Sequence, residues 1–69
     1  MDKEVKIDTE FIRLDNLMKI AGAVDTGGMA KMAIQNGHVK VNGEICTMRG
    51  KKMRPNDNFE FRNEKCEVN

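Results

Sequence analysis

The sequence predicts an α+β fold in which two packed helices are followed by a small antiparallel sheet with a hairpin. Three features of its 69 residues carry this reading. Two apolar stripes of helical period lie between residues 11 and 37, the period switches to alternation after Gly37, and Asn42-Gly43 then supplies a hairpin turn. A chain of this size has room for one domain, expected over 1–69, and buries only about 60% of its unfolded surface. With no tryptophan or tyrosine, Phe11, Phe59 and Phe61 are the only aromatic residues, and six methionines supply adaptable packing volume.

Glu4-Val5-Lys6-Ile7-Asp8 alternates apolar and polar residues and reads as an N-terminal edge strand within residues 1–8. Asp8 or Thr9 can cap the first helix, since either side chain can accept the unpaired amide hydrogens of an opening turn. In that helix Leu14, Leu17, Met18 and Ala21 recur at i, i+3, i+4 and i+7, with Phe11 near the stripe. Asp15 and Lys19 form an i, i+4 acid–base pair on the opposite side. Ile12 and Ile20 fit the stripe poorly. Gly22 suits the helix end, and Asp25 or Thr26 caps a second helix. Its buried face is Ala30, Ala33 and Ile34, with Met29 beside them, and Gly37 ends it.

Beyond Gly37, Val39 and Val41 point one way, His38 and Lys40 the other. Asn42 and Gly43 both tolerate the positive φ of a type I′ turn, and Glu44-Ile45-Cys46 starts the return strand. A basic loop, 49–54, and a turn at Pro55-Asn56-Asp57-Asn58 precede the strand Phe59-Glu60-Phe61. Residues 62–69 are polar apart from Val68 and are expected to form a loose tail. The shared core is expected to hold Leu14, Leu17, Ala30, Ile34, Val39, Val41 and Phe59.

Net charge is only +1. Its distribution is uneven: residues 38–54 hold five cations against one acid, a net +4, whereas 1–10 and 55–69 carry −2 each. Lys40, Arg49, Lys51, Lys52 and Arg54 are therefore candidates for a polyanion, arginine through paired hydrogen bonds to phosphate and lysine as point charges. A solvated charged loop is the plain alternative. Gly27-Gly28 before a helix could leave amides open to a phosphate, although such a pair more often marks a tight turn.

Little in the chain suggests catalysis. It has no serine, His38 has no local partner pattern, and neither Cys46 nor Cys66 lies in a nucleophile motif. Two cysteines are too few for a disulfide framework, and their spacing matches no zinc pattern, so no metal or cofactor is expected. The opening Met1-Asp2-Lys3-Glu4 has no apolar run behind it, and no stretch approaches the roughly 20 apolar residues that cross a bilayer. A cytoplasmic protein that is not an enzyme and has no membrane partner is expected.

The arrangement from about Phe11 to Phe61 resembles the RNA-binding domain of small-subunit ribosomal protein S-four, or αL motif. Arg13-Leu14-Asp15 followed by Leu17 and Met18 matches the opening of that pattern. Ala30, Ile34, Gly37, Val39 and Val41-Asn42-Gly43 follow its second helix and hairpin, and Gly50-Lys51-Lys52-Met53 with Asp57 its closing loop. The resemblance implies a short stand-alone bacterial member that binds structured RNA, ribosomal or tRNA-like, by shape and phosphate contacts. The residues it implies as RNA-facing are Arg13, Lys31, Lys40, Asn42, Arg49, Lys51, Lys52 and Arg54, with Asp15 orienting Arg13. One departure is that Thr26-Gly27 stands where many members have Ser-Arg, so Gly27-Gly28 and Lys31 would substitute. A protein-interaction adaptor using the same face is the rival reading, and a thiol or metal site of His38, Cys46 and Cys66 a more distant one.

Overall fold

The first helix begins later than its capping residues suggest, and the cause is a segment distant in sequence. The computed structural model describes residues 2–69. Helix α1 spans Leu14–Ile20, and its opening amides find backbone acceptors in the basic segment: Leu14 N donates to Lys51 O (2.9 Å) and Asp15 N to Arg49 O (3.1 Å). Arg13 stands at the N-cap without a side-chain capping bond. Because the Arg49 and Lys51 carbonyls satisfy these donors, Asp8 and Thr9 are not needed as caps and lie exposed ahead of the helix.

Helix α2, Gly27–Gln35, starts as expected, with the Thr26 hydroxyl accepting from Met29 N at 3.1 Å. Both helices close with the same pair of bonds. After α1, Gly22 N reaches Lys19 O and Ala23 N reaches Met18 O; after α2, Gly37 N reaches Ile34 O and His38 N reaches Ala33 O. This Schellman arrangement needs a positive φ at its first non-helical residue, and Gly22 and Gly37 both lie at +78°.

The main sheet has the order β1-β7-β6-β3-β4, built from β1 (Asp2–Val5), β3 (Lys40–Val41), β4 (Glu44–Ile45), β6 (Asn58–Phe61) and β7 (Glu64–Val68). All pairings are antiparallel except β1 with β7. An N-terminal strand is present at the edge, but over Asp2–Val5, so that it ends before the Lys6-Ile7-Asp8 half of the alternation that suggested it; Met1 lies outside the described residues. Asn42 (φ 51°) and Gly43 (φ 88°) form the expected tight turn between β3 and β4.

Residues 62–69 correct the expectation of a loose tail. Arg62 and Asn63, at φ 53° and 65°, form a second two-residue turn, and β7 returns between β1 and β6. Cys66 (3% exposed) and Val68 (0%) enter the core while Lys65 and Glu67 face out. Two apolar residues in a polar segment suffice, because both flanks of β7 are hydrogen-bonded to neighbours.

A second, two-stranded ribbon pairs β2 (Ile12–Arg13) with β5 (Lys52–Met53), so the basic loop expected over 49–54 is partly strand. Ile12 (8% exposed) and Met53 (0%) face inward, which accounts for the poor fit of Ile12 to the helical stripe. Ile20 remains 58% exposed. The seven residues expected in the core are all buried, joined by Met18, Val24 and Phe61 among others. At about 25 cal/mol per Å² such burial supplies the main drive to fold, and the Ala30 side of α2 lets the helices approach closely.

Candidate nucleic-acid interface

The β2/β5 ribbon decides where the cations go. Since Ile12 and Met53 face the core, their neighbours Arg13 and Lys52, directly opposite each other in register, both face solvent. The same segment then turns its carbonyls toward α1 at Arg49 and Lys51, leaving both side chains exposed. Arg13, Arg49, Lys51 and Lys52 are brought together although 35 residues of sequence lie between Arg13 and Arg49.

Each of these groups is held by a particular contact. The Arg13 guanidinium is 3.2 Å from the Asp15 carboxylate. Asp15 therefore turns toward Arg13 rather than forming the expected pair with Lys19, and its other oxygen accepts from Asn16 N at 2.8 Å. A Cβ at Gly50 would sit 3.8 Å from that guanidinium, so the loop lies directly against it. The Lys52 ammonium sits 5.0 Å from the centre of the Phe11 ring, a cation–π distance.

Arg54 belongs to a different network, centred on Asp57. The Asp57 carboxylate accepts from Arg54 N (2.8 Å) and from the Asn42 amide (3.1 Å), and the Asn42 side-chain oxygen accepts from Asn58 N (3.0 Å). The Asp57 carboxyl is held below its usual pKa, first by the Arg54 amide, with further help from Asn42, Lys51 and Arg54 against the opposing effect of partial burial. This latch joins the hairpin turn to the end of the basic segment. It also occupies both polar atoms of the Asn42 side chain.

Lys31 follows Gly27 by four residues and so lies one turn further along the same side of α2. The start of that helix borders a shallow recess of about 300 Å³ lined by Arg13, Asp15, Asn16, Lys19 and Gly27. Lys19 is the cation that sequence reasoning missed. Its i, i+4 relation to Asp15 suggested a local pair, and only the packing of α1 beside the start of α2 sets it against Gly27, within 3.9 Å of where a Cβ there would lie. Lys40 stands apart from the ribbon. Its partners in register are Glu60 and Ile45, which places it on the outer face of the sheet beside an acid.

The other reactive residues are dispersed. Cys46 is half-buried, Cys66 is buried with its thiol pKa pushed up by burial, and His38 is exposed beyond α2. Among the described residues no three histidine, cysteine or acidic side chains gather as a metal site would require.

The S4 domain profile matches residues 5–69. The chain belongs to the S4 domain family. This match extends the likeness past the 11–61 core of the motif and takes in β7. A curated relative, the probable ribosome maturation protein RlbA of Bacillus subtilis, is 38% identical over 61 residues, covering 88% of this chain and 86% of that protein. Among solved structures, the solution structure of YbcJ from E. coli superposes with a TM-score of 0.69 at 27% identity, covering 97% of this chain and 84% of that one. YbcJ is described as having an αL motif involved in RNA binding. The two helices and the small, mostly antiparallel sheet of this S4 domain are the αL fold of that neighbour.

Proposed function

We propose that this S4 domain acts as one unit that binds folded RNA without catalysing a reaction on it, and that the RNA is ribosomal or tRNA-like. The observation that carries the reading is the β2/β5 ribbon, which sets Arg13 and Lys52 side by side with Arg49 and Lys51 around the start of α1. Arg13, held by Asp15, and Arg54, held near Asp57, offer paired donors to phosphate, while Lys31, Lys51 and Lys52 add point charges. The Gly27 and Gly28 amides, at the positive end of α2, complete a site for one phosphate beside Lys19. Lys40 contributes from the margin, and Asn42 acts by holding the hairpin to the basic segment.

An open, charged surface without an aromatic platform suits folded RNA read by shape and backbone better than single strands. The names of the relatives agree, one a probable ribosome maturation protein and the other described with an RNA-binding motif. On this reading the protein acts where ribosomal and transfer RNA are found, in the cytoplasm. No helix among the described residues is long and apolar enough to cross a membrane.

The test is a titration of affinity against salt for a structured ribosomal or transfer RNA fragment. Three to five neutralised phosphates give a log–log slope of about −2 to −4. Replacing Lys51 and Lys52 together by alanine should flatten it by about 1 to 2 with melting unchanged, because exposed charges add little stability. A flat response, or a double variant that binds like the parent, would point instead to a protein partner on this face.

A further inference from the structure

A groove between the β3–β4 hairpin and the basic segment, reached by Lys51, has a chemistry of its own. It measures about 470 Å³, within the range of small-ligand sites, and its lining includes Val41, Glu44, Ile45, Cys46, Met48 and Lys51. Two features separate it from a solvated loop. Met48 is 67% exposed, a large apolar side chain lying within the most basic stretch of the chain. Glu44, in the same groove, is the single acid among residues 38–54 and takes part in neither ion pair found among the described residues.

Exposed apolar groups beside a phosphate-binding surface have no use for the sugar–phosphate backbone, and a carboxylate there repels it. An RNA base displaced from its helix answers both requirements at once. Its flat face covers the Met48 side chain, whose thioether is well suited to an aromatic ring. The phosphate attached to it meets Lys51, and an amino group on its edge donates to Glu44 as cytosine's does to carboxylates in direct readout. Uracil has no such amino group. Splayed bases are the usual means by which proteins read RNA sequence, although mostly over aromatic residues, which this chain lacks here.

We propose that this groove holds one unpaired, amino-bearing base of the bound RNA, adding sequence preference to an otherwise backbone-directed surface. The proposal rests on the RNA-binding reading above. It is tested with hairpin RNAs identical except at one bulged position, which is adenosine, cytidine, guanosine, uridine or an abasic site. Affinities are measured at low salt for the parent, Met48→Ala and Glu44→Gln. An amino-bearing bulge should bind about five- to fiftyfold more tightly than the abasic one, with uridine well below the others. Met48→Ala should reduce the preference for a base over the abasic site, and Glu44→Gln should narrow the gap to uridine. Both side chains are exposed, so unchanged melting certifies the variants. Equal, salt-sensitive binding of all five hairpins would overturn the base pocket while leaving the basic face intact. Failure of every hairpin to bind would overturn both. Parent-like preferences in the two variants would also overturn it, leaving Met48 to serve a protein partner.

Discussion

The Asp57 latch can be tested by exchanging its two partners. Asp57→Ala removes charge-assisted bonds from Arg54 N and from the Asn42 amide, at 2.8 and 3.1 Å. Hydrogen bonds to a charged group are each worth about 1.5–3 kcal/mol, but solvent screening at this exposed position reduces each to about 0.75–1.5 kcal/mol, for a total loss of about 1.5–3 kcal/mol. In a domain of this size that lowers Tm by roughly 6 to 24 °C. Asp57→Asn should fare little better, because an amide turned to accept from Arg54 N presents its own N–H groups to those of Asn42. The exchange Asn42→Asp with Asp57→Asn restores every donor and acceptor. The carboxylate, now on the hairpin turn, accepts from Asn58 N and from the amide that has replaced it, and the oxygen of that amide accepts from Arg54 N. Aspartate also tolerates the positive φ that the hairpin turn imposes on Asn42. Thermal melts of the parent, Asn42→Asp, Asp57→Asn and the exchange should therefore show a coupling of about 1–2 kcal/mol favouring the exchange. Because folding lowers the Asp57 pKa, its contribution is present above the unfolded value of about 3.9 and lost as pH falls through the folded one. The gap between parent and Asp57→Ala should accordingly close in acid. Additive single losses, or an Asp57→Ala protein that melts with the parent at neutral pH, would refute the latch.

Three further predictions concern the core and the thiols. Leu17→Ala, at a fully buried position, should cost about 2–5 kcal/mol in chemical denaturation. Deleting residues 62–69 should abolish cooperative unfolding followed by circular dichroism, since it removes β7 from between β1 and β6 and Val68 from the core. In thiol labelling of the native protein, Cys46 should react first and Cys66 only on unfolding, because burial both shields the Cys66 sulfur and disfavours its thiolate. Equal labelling rates would show that β7 opens freely.

By itself the sequence determined what local pattern and turn chemistry can determine. The i, i+3, i+4 stripe of Leu14, Leu17 and Met18, the Thr26 cap, the glycines that close both helices and the Asn42-Gly43 turn each act over a few residues, and all appear as read. The Arg-Leu-Asp opening and the basic 49–54 segment were likewise legible, as was the αL resemblance they support. Tertiary structure decided what depends on a distant partner. The start of α1 waits for the carbonyls of Arg49 and Lys51, which no local cap signals. Strand β7 carries only two inward apolar residues, too weak a pattern until β1 and β6 satisfy its backbone on both sides. Lys19 joins the candidate site, and Lys40 comes to lie beside Glu60 instead of among the ribbon cations, for the same reason: a side chain's periodicity fixes which way it points on its own element, while its neighbours are fixed only when elements far apart in sequence pack together.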